Sequence, residues 1–185
     1  RKILLNSWEG VYFYINQQGM DQMMADIASM GGELFVMDDG WFGDKYPRKN
    51  DSSSLGDWVV DKNKLPNGIE GLLSDAKKHG VKFGIWIEPE MANTTSELYE
   101  KHPDWVLKAS ERDVVLGRGG TQVVLDLANP AVQDFVFGVV DNLMTSYPEI
   151  DYIKWDANMS VQNHGSQYLT KDNQSHMYIE FHRGF

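Results

Sequence analysis

Four short apolar runs, each stopped by a polar or acidic residue, constrain this chain more than any other feature: "ILLNSWEG", "GELFVMDDGW", "VKFGIWIEPE" and "DYIKWDAN". Near-continuous apolar runs of this length suit parallel strands covered on both faces, because half-exposed antiparallel strands alternate apolar and polar residues instead. The segments between them have helical spacing. Residues 19–30 put Met20, Met23, Met24, Ile27 and Met30 on one side, with Gly31 and Gly32 as the stop. Residues 68–79 do the same with Ile69, Leu72, Leu73 and Ala76 before Gly80. Asn129 followed by Pro130 is an N-cap with proline in the first turn, and it opens a helix carrying Val132, Phe135, Val136, Val139 and Leu143.

Strand and helix in alternation predict an α/β fold with a parallel sheet. A doubly wound sheet satisfies the pattern too, but no glycine-rich phosphate loop follows any of the strands. Acidic residues at strand ends fit a (β/α)8 barrel better. Two stretches break the rhythm. Residues 105–127 read as short strands around a turn at Gly117 to Gly120, and residues 40–66 form a long loop rich in Asp, Ser, Lys and Gly. The 185 residues allow one substantial core but fall short of the roughly 250 that a complete barrel takes, so one domain, or part of one, is expected.

With 17 basic against 27 acidic residues the formal charge is -10, which argues against nucleic acid as a partner. The absence of cysteine excludes disulfides and thiolate metal sites. No apolar run approaches the roughly 18 residues of a membrane span, so a soluble protein is expected, cytoplasmic or periplasmic, with the compartment open. His79, His102, His164, His176 and His182 show no ligand spacing for a metal.

In a barrel the strand ends carry the chemistry, and Asp38, Asp39, Glu88, Glu90 and Asp156 all fall there. Any one of them alone also suits a helix cap or a loop amide. Along "YIKWDA" the side chains alternate, so Lys154 and Asp156 share a face while Ile153 and Trp155 take the other, toward the helices. A lysine inside a sheet needs an anion, and a neighbouring cation favours an ionised aspartate, which is the form a nucleophile needs. Trp8, Trp41, Trp58 and Trp86 lie near strand ends or in the long loop, although Trp86, inside "FGIWIEPE", also suits the core. Indoles beside carboxylates match the apolar face and hydroxyl edge of a sugar, and a pair of carboxylates is the usual machinery of a glycosidase.

"NSWEGVYF", "DDGWFG", "GDWVVDKNKLPNGIEGL", "GIWIEPEM", "VLDLANP" and "YIKWDAN" resemble, in order and spacing, the bacterial melibiase-type α-galactosidases of glycoside hydrolase family 36. The resemblance covers nearly the whole chain. It implies retaining cleavage of terminal α-linked galactose from oligosaccharides such as melibiose and raffinose, with no cofactor and no metal. Asp156 matches the family's nucleophile; Asp38, Asp39, Trp58, Arg118, Lys154 and Asn158 match its sugar-binding residues, and Trp8 matches a further aromatic contact. The usual "KWDMN" is "KWDAN" here.

The family's general acid/base is an aspartate two barrel strands past the nucleophile, so residues 1–185 are expected to form about the first half of a catalytic barrel, inactive by itself. Asp172 and Glu180 are not expected to replace it, since they fall on a loop and a helix rather than at a strand end. The full-length protein is expected to act on an α-galactoside oligosaccharide and to be a homo-oligomer, with no membrane or nucleic-acid partner. Three other readings stay open: an α-N-acetylgalactosaminidase of the same family, a magnesium-dependent enolase-type barrel with Asp38, Glu88 and Asp156 as ligands, and a non-catalytic sugar-binding module.

Overall fold

The structure is a computed structural model that describes residues 1–162 and 164–184. In chain order the regular elements are β1 (Leu4–Asn6), α1 (Trp8–Val11), α2 (Gln17–Ser29), β2 (Leu34–Met37), α3 (Gly68–His79), β3 (Lys82–Ile87), β4 (Met91–Asn93), α4 (Glu97–Lys101), β5 (Gln122–Val124), α5 (Pro130–Ser146), β6 (Ile150–Trp155) and α6 (Met177–Arg183). The chain divides into two compact units. The first comprises residues 1–50, 58–87 and 142–156, and the second comprises residues 51–57, 88–141 and 157–185.

The first unit holds a four-stranded sheet in the order β1-β2-β3-β6, parallel throughout. All four expected strands are present. β2 is buried along its length, and Phe35, Val36, Phe83, Ile85 and Ile87 fill the sheet's faces, as near-continuous apolar runs require. α2 begins two residues before the expected Gly19, because the Asn16 side chain accepts from Gly19 N at 2.8 Å and caps the helix there. α3 spans the expected residues and stops at Gly80, whose φ of 72° is left-handed. Gly84 in β3 lets the backbones approach: a Cβ there would meet the Tyr152 carbonyl oxygen at 3.0 Å.

In this unit the long loop after β2 is held from within. The Lys64 ammonium donates to the carbonyls of Phe13, Gly40 and Arg48 at 2.9, 2.6 and 2.6 Å. Burial pushes the Lys64 pKa down, against the pull of Asp61 and Asp39. Gly40 adopts φ 113°, and a Cβ there would sit 3.0 Å from the Phe13 backbone, so only glycine fits that turn.

The second unit carries a two-stranded antiparallel sheet of β4 and β5, with α4 and α6. Its core includes Ala92, Leu98, Val106, Val123, Leu125, Val132, Met177 and Phe181. The stretch 105–127 departs from expectation. The turn is present, with left-handed Gly119 and Gly120 and a bond from Gly117 N to the Gln122 carbonyl at 2.8 Å. Only β5 forms beside it, and β5 pairs with β4; the residues before the turn contribute a single bridge, Val106 to Leu125. β4 has three residues, too few to show alternation in the sequence. At the start of α5, Asn129 Oδ1 accepts from Ala131 N at 3.0 Å, the expected cap. Among the described residues, no helix is long and apolar enough to cross a membrane.

Two buried carboxylates staple this unit. Asp57 accepts from the backbone N–H groups of Glu97 and Leu98 at 2.9 and 3.0 Å, at the start of α4. Asp126 accepts from the Ser166 hydroxyl at 2.6 Å and from Ala128 N at 3.2 Å. Burial pushes the Asp126 pKa up, and its hydrogen bonds only partly offset this. The folded state therefore holds that proton more tightly than the unfolded chain, whose aspartates titrate near ~3.9, and stability from this group falls as pH rises through the raised pKa. Asp126→Asn cannot ionise. Whatever its constant offset, the stability of the parent relative to this variant should fall between pH 4 and 7 in urea unfolding; a gap that is flat or widens in the parent's favour would refute the assignment.

Candidate active site

Within the first unit, the strand ends meet at Asp38, the residue after β2. Its Oδ2 accepts from Asn6 Nδ2 at 2.6 Å and from Lys154 Nζ at 2.7 Å, and its Oδ1 accepts from Asp39 N at 2.9 Å. The Asp38 N–H donates to the Ser7 hydroxyl at 2.9 Å, and Asn6 Oδ1 accepts from Trp8 N at 2.9 Å. Asp38 is only 2% exposed, so its carboxylate depends on these partners rather than on water, although Lys154 itself is partly exposed. Lys154 therefore forms its ion pair with Asp38, not with Asp156 as strand alternation suggested. The reason is geometric: residues two apart on one strand are separated by about 6.6 Å along it, and a lysine reaches a partner across the sheet more readily.

Asp39 is held by a different cation. Arg48 Nε donates to Asp39 Oδ1 at 2.9 Å and Nη2 donates to Oδ2 at 2.7 Å, a bidentate pair with Arg48 only 1% exposed. The guanidinium also lies over Phe13 and Phe42, at 5.3 and 5.7 Å from the ring centroids.

Asp156 follows β6. Its N–H donates to the Ile87 carbonyl at 2.9 Å, and its Oδ2 accepts from Trp86 Nε1 at 3.0 Å. Trp86 belongs to an aromatic block in which it stacks on Phe42, with centroids 6.2 Å apart and planes 7° apart, and lies 6.1 Å from Trp58. Trp41 Nε1 donates to the Trp86 carbonyl at 3.0 Å. Trp41 is fully buried, which corrects its placement among candidate sugar-facing indoles: it is a core residue that braces Trp86. Trp58 Nε1 is buried and has no hydrogen-bond partner. Trp8 is half-buried and packs edge-on against Tyr12 and Phe13. Trp155, expected against helices, is 41% exposed on the outer strand of the sheet.

The second unit holds the other candidates. Glu88 Oε1 accepts from both Asn158 N, at 2.7 Å, and Asn158 Nδ2, at 2.9 Å. Asn158 Oδ1 in turn accepts from Arg118 Nη2 at 3.2 Å. Arg118 opens the short 3-10 turn Arg118–Gly120. Glu90 is buried, and its carbonyl accepts from Leu125 N at 2.9 Å. Asp172 lies in the 3-10 segment Lys171–His176, and Glu180 on α6 pairs with Arg183 at 3.0 Å.

For the magnesium reading, Asp38 is engaged by the Lys154 ammonium and the Asn6 amide, and Glu88 Oε1 by two N–H groups of Asn158. Among the described residues no group of three His, Cys, Asp or Glu is arranged to hold a metal ion.

Asn6, Ser7, Arg48 and the Trp86 N–H were missed in the sequence. Arg48 looks like one more loop charge in "KYPRKN"; only its burial gives it away.

The Melibiase family profile matches residues 1–183. Alpha-galactosidase AgaA of Geobacillus stearothermophilus is 42% identical over 182 residues, covering 97% of this chain and 24% of that protein. Probable alpha-galactosidase C of Aspergillus flavus is 46% identical over 168 residues, covering 87% of this chain and 22% of its own length. Among solved structures, the alpha-galactosidase from Lactobacillus brevis superposes with a TM-score of 0.92 at 40% identity, over 100% of this chain and 24% of that one. A variant of the Geobacillus enzyme in complex with raffinose gives 0.91 at 41%, over 100% and 25%. The chain thus spans about a quarter of the length of the relatives it matches. These neighbours bear out the expected α/β fold as part of a (β/α)8 barrel.

The Arg48–Asp39 pair sets a stability prediction. Arg48→Met removes the bidentate partner of a buried carboxylate and should cost about 3 kcal/mol or more in chemical denaturation. Arg48→Lys, which keeps the charge but not the fork, should cost less. Equal, near-zero losses for both would show that the pair is not structural.

Proposed function

The chain belongs to the melibiase family, and on that premise we propose that the full-length protein is a retaining glycoside hydrolase that removes terminal α-linked galactose from oligosaccharides of the melibiose and raffinose type. Residues 1–185 are the N-terminal part of its catalytic barrel. The observation that carries the reading is Asp156: a carboxylate at the end of a parallel strand, with Oδ2 held by the indole N–H of a buried, braced tryptophan. Relatives crystallised with raffinose and with stachyose support the choice of substrate class.

In the proposed reaction an Asp156 oxygen attacks the anomeric carbon as the bond to the leaving oxygen breaks, through an oxocarbenium-like transition state. A carboxylic acid from an aspartate further along the full-length chain gives its proton to the leaving oxygen. As a carboxylate it then takes a proton from water, which opens the galactosyl ester and restores Asp156. Asp38 uses three of its roughly four acceptor positions on Asn6, Lys154 and Asp39 N, so one is left for a sugar hydroxyl. Asp39 takes a second hydroxyl. Lys154, Arg118 and Asn158 supply donors, and Trp8 and Trp58 offer apolar surface. The buried Trp58 Nε1 adds a donor that gains by meeting an acceptor. Assembly as a homo-oligomer belongs to the same proposal and is read by light scattering.

Asp156→Ala in the full-length protein should lower kcat on 4-nitrophenyl α-galactoside by about 10⁴-fold or more, with the melting temperature nearly unchanged. Turnover close to that of the parent would refute the nucleophile. Trp86→Phe keeps one aromatic ring but loses the pyrrole ring with its N–H, and should lower kcat/KM by about 10- to 100-fold. A parental kcat/KM would mean that the indole only packs.

A further inference from the structure

Glu88 is a buried carboxylate for which the proposed reaction has no use, and its contacts with Asn158 are specific. A primary amide has a donor end and an acceptor end of nearly equal size, so a lone asparagine side chain presents either one. Here the two neighbours each have a single polarity. An ionised Glu88 only accepts, and it takes Asn158 Nδ2; Arg118 only donates, and it takes Asn158 Oδ1. A flipped amide would set oxygen against oxygen at one end and N–H against N–H at the other. The same Glu88 oxygen also accepts from the Asn158 backbone N–H, at 2.7 Å, so main chain and side chain of one residue are chelated by one atom. Glu88 is 2% exposed, so the accepting end of both bonds is shielded from water, while Asn158 itself reaches solvent.

We propose that Glu88 is a positioning residue that locks the Asn158 amide in one orientation, with Oδ1 on Arg118 and the second Nδ2 hydrogen offered to an acceptor oxygen of the sugar. The role rests on the galactosidase reading for the identity of the sugar, but the polarity lock does not. Glu88 acts through Asn158 and touches no reacting atom. Its worth is selectivity of sign, because a site that always presents an N–H at this point discriminates against a ligand that presents only a donor there.

The test is a polarity swap in the full-length protein. Asn158→Asp sets a second carboxylate beside Glu88, while Glu88→Gln added to it restores a donor facing an acceptor. Asn158→Asp should lower kcat/KM on 4-nitrophenyl α-galactoside by about 100-fold, and the double variant E88Q/N158D should regain about tenfold or more of that loss, the coupling typical of residues in contact. Glu88→Gln alone should raise KM more than it lowers kcat. Losses that simply multiply in the double variant would overturn the proposal. The same four proteins titrated with galactose separate the two readings. A parent that binds galactose but hydrolyses nothing sinks the hydrolase reading, and the swap is then scored in the dissociation constants by the same criterion. A parent that neither hydrolyses nor binds overturns both.

Discussion

A lysine on a strand packed into a sheet needs an anion, and in the first unit that anion is Asp38. Its carboxylate gathers Asn6 from the end of β1 and Lys154 from β6, while Asp38 itself follows β2. β3, which lies between β2 and β6, contributes Trp86 to Asp156. β1, β3 and β6 thus each deliver a polar atom from the carboxyl-terminal half to one of two aspartates, and β2 leads into one of those aspartates. This depends on register, since a slip of one residue would turn Lys154 and Trp86 to the opposite face. The apolar faces of β2 and β3 hold that register, so the core and the candidate chemistry rest on the same strand pairing.

Much of the fold could be read from the chain because its signals are local. The strands β1, β2, β3 and β6 are apolar runs, α3 has its stripe and its stop at Gly80, and α5 has Asn129 and Pro130. What escaped was non-local. β4 is three residues that become a strand only through β5, and nothing in "EMANT" marks it. Lys154 and Asp156 are close in sequence, which suggested a pair, but the lysine's partner lies 116 residues away. Trp41 and Trp86 look alike as indoles near strand ends. Both are buried, and what separates them is the acceptor each N–H meets, the Trp86 carbonyl for Trp41 and Asp156 for Trp86, which only the fold decides.

Acidic residues also divide by what surrounds them. Asp57 and Asp126 fasten backbone and loops in the second unit, Asp39 is clamped by Arg48, and Glu88 fixes the polarity of an amide. A chain with 27 acidic residues therefore cannot be searched for its chemistry by counting carboxylates. Asp156 is set apart by its place after β6 and by an indole donor on one oxygen, the features on which its proposed role as nucleophile rests.

The most direct measurement is to trap the covalent intermediate in the full-length protein. An α-galactosyl fluoride carrying a second fluorine at C5 would slow the ester's hydrolysis, and the tryptic peptides would then be weighed. Cleavage after Lys154 and Lys171 gives the peptide 155–171, "WDANMSVQNHGSQYLTK", in which Asp156 is the sole carboxylate side chain. The expected result is a fluorogalactosyl mass on that peptide, absent from Asp156→Ala. An adduct on any other peptide, or turnover of the fluoride with no adduct at all, would contradict Asp156 as the nucleophile.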